Sequence, residues 1–421
     1  MPLAFAGLMC HAPIVIPEVA GSEAHKCVRT TRAMREMGQR VVRSRPDRVV
    51  LISPHSPRNQ TRFAAWSGVH RGDLADFRAP HLRIELPDAP EVAQALQLPP
   101  VGPPHTRPPT WPNWLDHGAM VPLHFLWAAG WRGPTAILAL PWSQAPDSEA
   151  LGRSIAALAG RTALVASGDM SHRLIPGAPA GHHPRAKDFD RGFVQALKNE
   201  DWGSACAVPW REQAAEDVVD STRVAMGAAG APLHAEVLSY EGPWGVGYTQ
   251  AVLYDPAPPL YAVARCALTA HVDGRTYAPP TGGPTCFGTF VTLRRDGALR
   301  GCIGRIGKPT NGTYAQVVDN AVGAASKDHR FSPIARDEVA DLDIEVSVLT
   351  PPEHIDGIGD LDPAVFGVIV HCDGKRGVML PDVQGIETAS QQVRLTCKKV
   401  GIDPTGRLEL QRFQVSKEVA P

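Results

Sequence analysis

The sequence predicts an α/β domain over residues 1–255, with a mixed or largely parallel central sheet flanked by helices, and an α+β domain over residues 260–421. Three observations predict it. The chain has 421 residues, more than the roughly 100–200 of a usual single domain. Its first part alternates short apolar runs with amphipathic segments, as βαβ units do. After YDPAPPLY at 254–261, which reads as a linker, that alternation gives way to a helix, a Pro/Gly-rich loop and hairpins.

Taken in order, PLAFAGLM is a buried first strand ending at Cys10-His11. Residues 23–45 read as an Arg-rich amphipathic helix, and DRVVLISPH as a buried strand running into a turn. Ten prolines then fall between Pro80 and Pro112. So dense a run predicts a long loop rather than a regular helix or central strand. It would be either a lid or pocket wall, with Trp111 and Trp114 as apolar surfaces, or a solvent-exposed loop. HGAMVPLHFLWAAG reads as a helix, PTAILAL as a strand, SEALGRSIAALAG as a helix and TALVASGDMSH as a strand running into a turn. In the second domain LYAVARCALTAHV is a helix. Two hairpins are expected to turn at Asp296-Gly297 and Asp373-Gly374. No internal repeat is present.

Composition narrows the function classes. Hydrophobic content of 43% and charged content of 20% are those of an ordinary globular protein. A net charge of -1 argues against a broadly basic nucleic-acid-binding surface. No apolar run reaches the ~18 residues of a membrane span, and the first ten residues lack a basic region and a small-residue cleavage site. The expectation is a cytoplasmic protein with neither membrane nor nucleic acid as partner. The eight cysteines form no CxxC pair, which excludes a zinc ribbon or thioredoxin-type motif and predicts reduced thiols. Twelve of the sixteen histidines precede residue 235, so metal or proton chemistry is sought first in that part.

His11, His55, His117 and His172 each lie in a loop, and His11, His55 and His172 follow apparent strands. Any one alone would more often be a structural or surface residue. Ligands of open α/β sheets collect beyond the carboxyl ends of the strands, so four histidines converging there point to a site. An O2-activating Fe(II) centre needs two imidazoles and a carboxylate on one face, with open positions for substrate and dioxygen. Unligated histidines can then act as acid or base near neutral pH. Glu241, between the apparent strand AEVLSY and a glycine-rich turn, is the expected carboxylate. Glu216, Asp217 and Asp220 compete, but they read as the solvated face of a helix. Arg58, Arg173 and Arg185 lie near these loops and are candidates to pair with a substrate carboxylate.

The ordered set HAPIVIPE, LISPHSP, LDHGAMVPL, SGDMSHRL and YEGPWGVGY resembles the class III extradiol dioxygenases, a superfamily that includes the protocatechuate 4,5-dioxygenase β-subunit and the Memo proteins. The resemblance spans residues 1–255. It implies that His11, His55 and Glu241 bind Fe(II), that His172 is the catalytic acid/base and that His117 contacts substrate or bound oxygen. It further implies cleavage of a catecholic or related aromatic substrate with O2, and a homo-oligomer. Memo proteins are not all dioxygenases, and their metal site can include a cysteine. No cysteine lies between 207 and 265 here, which favours the dioxygenase side.

In the second domain GTFVTLRRDGALRGCIG, ASKDHRFSPIARDEVADLDIEVSVL and GVMLP resemble the AMMECR-type domain. LRGCIG is its specific element. The resemblance implies Arg300 and Cys302 as a possible second site, with His329 or Glu345 as a further candidate. The late segment GRLELQRFQV departs from that family in having no tryptophan. Cys302 between glycines could be an accessible nucleophile or a small buried hydrophobe, which is commoner for a free cysteine. The pairing of the two domains also resembles a gene grouping with a radical-SAM protein, so a radical-SAM partner is possible. The alternative function is then a Memo-like metal-binding component or scaffold for that partner. A third reading is a C-terminal cysteine enzyme with a structural N-terminal half.

Overall fold

A computed structural model describes residues 3–101, 115–142, 147–383 and 385–420. The chain divides into two compact units, Met1–Ala257 and Pro258–Ala420.

The first unit is built on an eight-stranded mixed sheet in the order β6-β3-β7-β2-β8-β1-β10-β9. At its centre β7 (Thr135–Ala139), β2 (Arg48–Ser53), β8 (Thr162–Ser167) and β1 (Leu3–Met9) run parallel. These four strands are apolar along their length because both sheet faces are covered. Every residue of Leu3–Met9 and Thr162–Ser167 is buried. Alternate side chains feed two cores, with Leu8 and Val50 on one face and Phe5 and Leu51 on the other. β10 (Tyr248–Tyr254) joins β1 antiparallel and carries the edge strand β9 (Glu236–Glu241). β3 (Ala64–Trp66) and β6 (Pro100–Val101) close the other side.

The helices that matter for function are α1 (Val28–Arg43), α2 (Pro90–Ala95), α3 (His117–Ala128), α4 (Ser148–Ala156), α5 (Ala186–Lys198) and α6 (Val219–Ala229). The parallel core and the helices read from residues 23–45, 117–130 and 148–160 are present. The proline-dense segment is only partly a loop, a correction to the sequence expectation. Its first residues lie in β5 (Ala79–Leu86), which pairs with the preceding β4 (His70–Leu74) in a two-stranded ribbon apart from the main sheet. Pro90 then opens α2 at a first-turn position, where a missing N–H costs nothing. Trp111 and Trp114 lie outside the described residues.

The second unit is α+β. A four-stranded antiparallel sheet in the order β12-β11-β13-β18 packs on α7 (Leu260–Val272) and α8 (Thr313–Ser326). Its strands are β11 (Gly288–Arg295), β12 (Ala298–Ile306), β13 (Leu342–Leu349) and β18 (Val415–Val419). A second sheet, β14-β17-β15-β16, runs through Glu353–Ile355, Glu409–Phe413, Gly367–Cys372 and Lys375–Met379 and packs on α9 (Ala389–Val400). Both expected hairpin turns form. Asp296 and Gly297 have φ of 50° and 76°, and Asp373 and Gly374 have 49° and 75°, the left-handed pair that a two-residue turn needs. Among the described residues no helix is long and apolar enough to cross a membrane.

Candidate metal centre

Adjacent parallel strands β1, β8 and β2 deliver their carboxyl ends to one edge of the sheet. His11 comes just after β1, and His55 just after β2. Their Nε2 atoms lie 3.1 Å apart. Asp217 Oδ2 stands 3.4 Å from His11 Nε2 and 3.2 Å from His55 Nε2. His117 completes a group with His11 and His55, its ring centroid 4.2 Å from that of His55 and 5.5 Å from that of His11.

Each of these side chains is held by its neighbours. Ser167, the last residue of β8, donates its hydroxyl to Gly118 O, so its oxygen accepts from His11 Nδ1 at 3.0 Å. That makes His11 Nδ1 a donor and turns its Nε2 towards the centre. Asp169 Oδ1 accepts the His11 backbone N–H at 2.9 Å, and Asp217 Oδ1 accepts that of Asp169 at 2.7 Å. Asp116 is the N-cap of α3 and accepts from Ala119 N. The same buried carboxylate accepts the hydroxyls of Ser53 at 2.7 Å and Ser56 at 2.8 Å, tying the loop that carries His55 to the helix end that carries His117. Gly118 permits this approach, because a Cβ there would sit 2.7 Å from Ser53 Oγ and 3.1 Å from His55 Cδ2.

The electrostatics follow from that packing. Burial alone would push His11 towards neutrality, but Asp169 and Asp217 outweigh it and raise its pKa to about 9. Burial would raise Asp217, yet His11 and His55 hold it well below the usual carboxylate range. Asp169 is raised, mainly by burial. His117 is pushed down to about 3 by burial and by the charges of His55 and His11, and so stays neutral at physiological pH. His172 stands near enough to act on His117 electrostatically. Its Nδ1 donates to Ala215 O at 2.8 Å, so Nε2 is the ring nitrogen outside that bond.

The residues fit a metal ion. Ligands about 2.1 Å from an ion and at right angles to one another would stand about 3 Å apart. The separations of 3.1, 3.2 and 3.4 Å among His11, His55 and Asp217 match that spacing. Two imidazole nitrogens at 3.1 Å also need a shared positive centre, a proton or a metal, between their lone pairs and the carboxylate.

Glu241 requires a correction. It does not reach the histidines: its Oε1 accepts from Arg29 Nε, and its Oε2 from Thr30 N and Oγ1, each at 2.8–3.1 Å. β9 is separated from β1 by β10, which places its end roughly 10 Å from that of β1. The carboxylate that faces both imidazoles is Asp217, which the sequence assigned to a solvated helix face. It lies instead in the turn before α6, set by a left-handed Ala215 at φ 53° and by Glu216, which accepts the N–H groups of Val218 and Val219. Asp116 and Ser167 were likewise not singled out. The capping position of Asp116 ahead of the helix was the signal available.

Phe77 lies edge-on to His117 with centroids 6.1 Å apart and is 37% exposed, so an aromatic wall borders the centre. Arg58 stacks on the exposed Trp142 at 5.0 Å and is near enough to Asp217 and Asp220 to feel both. Arg173 keeps Nε buried without a hydrogen bond among the described residues. Arg185 is paired with Asp188 and stacked on Trp210.

Two families match the sequence. The one described as the catalytic LigB subunit of aromatic ring-opening dioxygenase matches residues 6–251. The chain belongs to this LigB family. The AMMECR1 family matches residues 261–418. A protein of Clostridium acetobutylicum is 28% identical to this LigB-family chain over 97% of its length and 98% of the relative. A Thermotoga maritima protein is 43% identical across 31% of the chain and 76% of that protein. Among solved structures, an uncharacterized protein of Pyrococcus horikoshii aligns with 38% of the chain and 88% of itself, at 30% identity and TM-score 0.34. One from Escherichia coli K12 aligns with 59% of the chain and 100% of itself, at 15% identity and TM-score 0.36.

In the AMMECR1 unit, Cys302 is half-buried on β12. Thr292 faces both Cys302 and Glu345 across the sheet, and Thr292 Oγ1 lies 3.3 Å from Cys302 Sγ. Glu345 pairs with Lys417 at 3.3 Å. Arg300 is occupied: its guanidinium donates to Ser332 O at 2.7 Å and Glu338 Oε2 at 2.9 Å, holding the 332–338 loop. His329 is exposed.

Proposed function

We propose that the LigB-family unit is an Fe(II)-dependent extradiol dioxygenase that opens a catecholic ring with O2. The observation that carries this reading is the two-imidazole, one-carboxylate set of His11, His55 and Asp217, open on the side of His117 and the half-exposed His55. Two histidines and a carboxylate on one face suit non-haem Fe(II) and leave positions open. Bound there, the ion would supply a template for the two ring oxygens and a path for electrons from the catecholate to O2.

The protein's own groups supply the rest. A catechol sheds protons as it binds, and His172 is the base proposed to take one at Nε2, its Nδ1 being tied to Ala215 O. Neutral His117 donates or accepts a hydrogen bond without competing as a cation. Phe77 offers an aromatic edge to the substrate ring. Arg58, which donates to Pro54 O and stacks on Trp142, is the cation proposed to meet a ring carboxylate. His172 returns its proton as the ring opens, and both oxygen atoms of O2 end in a muconate semialdehyde-type product.

The test is oxygen uptake by anaerobically Fe(II)-loaded protein over a catechol panel, with and without a ring carboxylate. Uptake matched by a yellow ring-opened product supports the reading. Tight iron binding without uptake on any catechol would overturn it.

A further inference from the structure

Away from the metal centre, a groove of about 480 Å³ runs along α5. Lys187, Arg191 and Lys198 line it from the helix, and Tyr240 and Gly242 from the end of β9. Leu174 and Val194 give it an apolar lining. Spacings of four and seven residues put the three cations on one helix face. All three are exposed, and among the described residues none of them forms an ion pair. Neighbouring carboxylates are already committed: Asp188 to Arg185, and Asp190 to Tyr240 Oη and Ser171 N.

Other surface cations of this chain do have partners, as Arg48 with Glu91 and Arg71 with Glu85 do. Like charges one helical turn apart repel by a few tenths of a kcal/mol. The volume falls within the ~300–1,000 Å³ of small-molecule sites, which combine apolar walls with a few placed polar groups. Guanidinium and ammonium groups lining one space select oxyanions through charge-assisted hydrogen bonds.

We infer that the groove between α5 and the end of β9 binds a small molecule carrying a phosphate or carboxylate on an apolar body, held by Lys187, Arg191 and Lys198. The anion lies against Arg191, and the apolar body against Leu174 and Val194. The site does not depend on the proposed ring-opening activity, since none of its residues belongs to the metal centre.

Calorimetric titration of the full chain with phenyl phosphate and with benzoate tests it, the two probes separating a phosphate head from a carboxylate. The expected result is one saturable site for at least one probe, weakened by added salt. A Lys187→Ala/Arg191→Ala double variant should weaken it about tenfold or more. Both side chains are exposed, so the variant should keep its thermal melt. A His11→Ala/His55→Ala variant should bind the probe as the unmodified chain does. The inference is overturned if neither probe saturates or if the groove variant binds unchanged. It is also overturned if binding is lost only with the histidines, which would place the anion at the metal centre.

Discussion

His11 Nε2 lies 3.1 Å from His55 Nε2, although the two residues are 44 positions apart in the chain. Strands β1 and β2 each deliver one imidazole, and β8 between them supplies Ser167 and Asp169 to orient the first. Asp217 Oδ2 faces both nitrogens, at 3.4 and 3.2 Å.

Asp217→Asn keeps the shape and removes the charge. It should lower iron affinity at least as much as the ~10–100-fold typical of losing a supporting residue around a metal. Glu241→Gln should leave affinity unchanged and cost about 1–2 kcal/mol of stability, because its bonds to Arg29 and Thr30 weaken. Metal titration and urea unfolding of both variants separate the two roles. Equal iron loss in both would return Glu241 to the site.

His172→Ala should retain iron and lose about 10²–10⁴ of the turnover rate, the usual contribution of a positioned acid or base. Iron content by mass spectrometry, beside oxygen uptake, checks this. Loss of iron would make His172 a ligand instead.

Asp116 is nearly fully buried and joins Ser53, Ser56 and the first turn of α3. Removing a cap costs about 1 kcal/mol, and leaving buried hydroxyls without an acceptor adds more. Asp116→Ala should therefore destabilise the chain by about 2–3 kcal/mol and weaken iron binding by loosening both His55 and His117. Chemical unfolding and metal titration measure the two effects.

Asp190 has its pKa raised to about 6, chiefly by burial and against the hydrogen bond donated by Tyr240. A raised acid binds its proton more tightly in the folded chain. The linked stability is fully present below the ordinary value near 3.8 and is lost as the pH rises through about 6. Unfolding free energy should therefore fall across that window by a few kcal/mol. Asp190→Asn, which cannot ionise, should remove this part of the pH dependence. An unchanged profile in the variant would contradict the assignment.

Much of this was legible in the sequence. Leu3–Met9 and Thr162–Ser167 are buried on both sides, so their apolar runs announce a parallel core, and histidines just beyond those ends announce a site. Asp296-Gly297 and Asp373-Gly374 announce their own turns. Asp217 was hidden because its direction comes from a left-handed Ala215 and from the capping of α6 by Glu216, neither of which leaves a periodic trace. Glu241 was misplaced because strand order decides which strand ends are neighbours, and the chain does not state that β10 separates β9 from β1. The proline-dense segment was misread over Ala79–Ala95, where Pro80, Pro87 and Pro90 sit in an edge ribbon, between elements and at a helix start, positions that tolerate proline.

The most direct test is the crystal structure of the Fe(II)-loaded chain, with the iron located by its anomalous signal. The account predicts iron about 2.1 Å from His11 Nε2, His55 Nε2 and an Asp217 carboxylate oxygen, with open positions towards His117 and His172. Iron bound by Glu241, or lying away from His11 and His55, would contradict it.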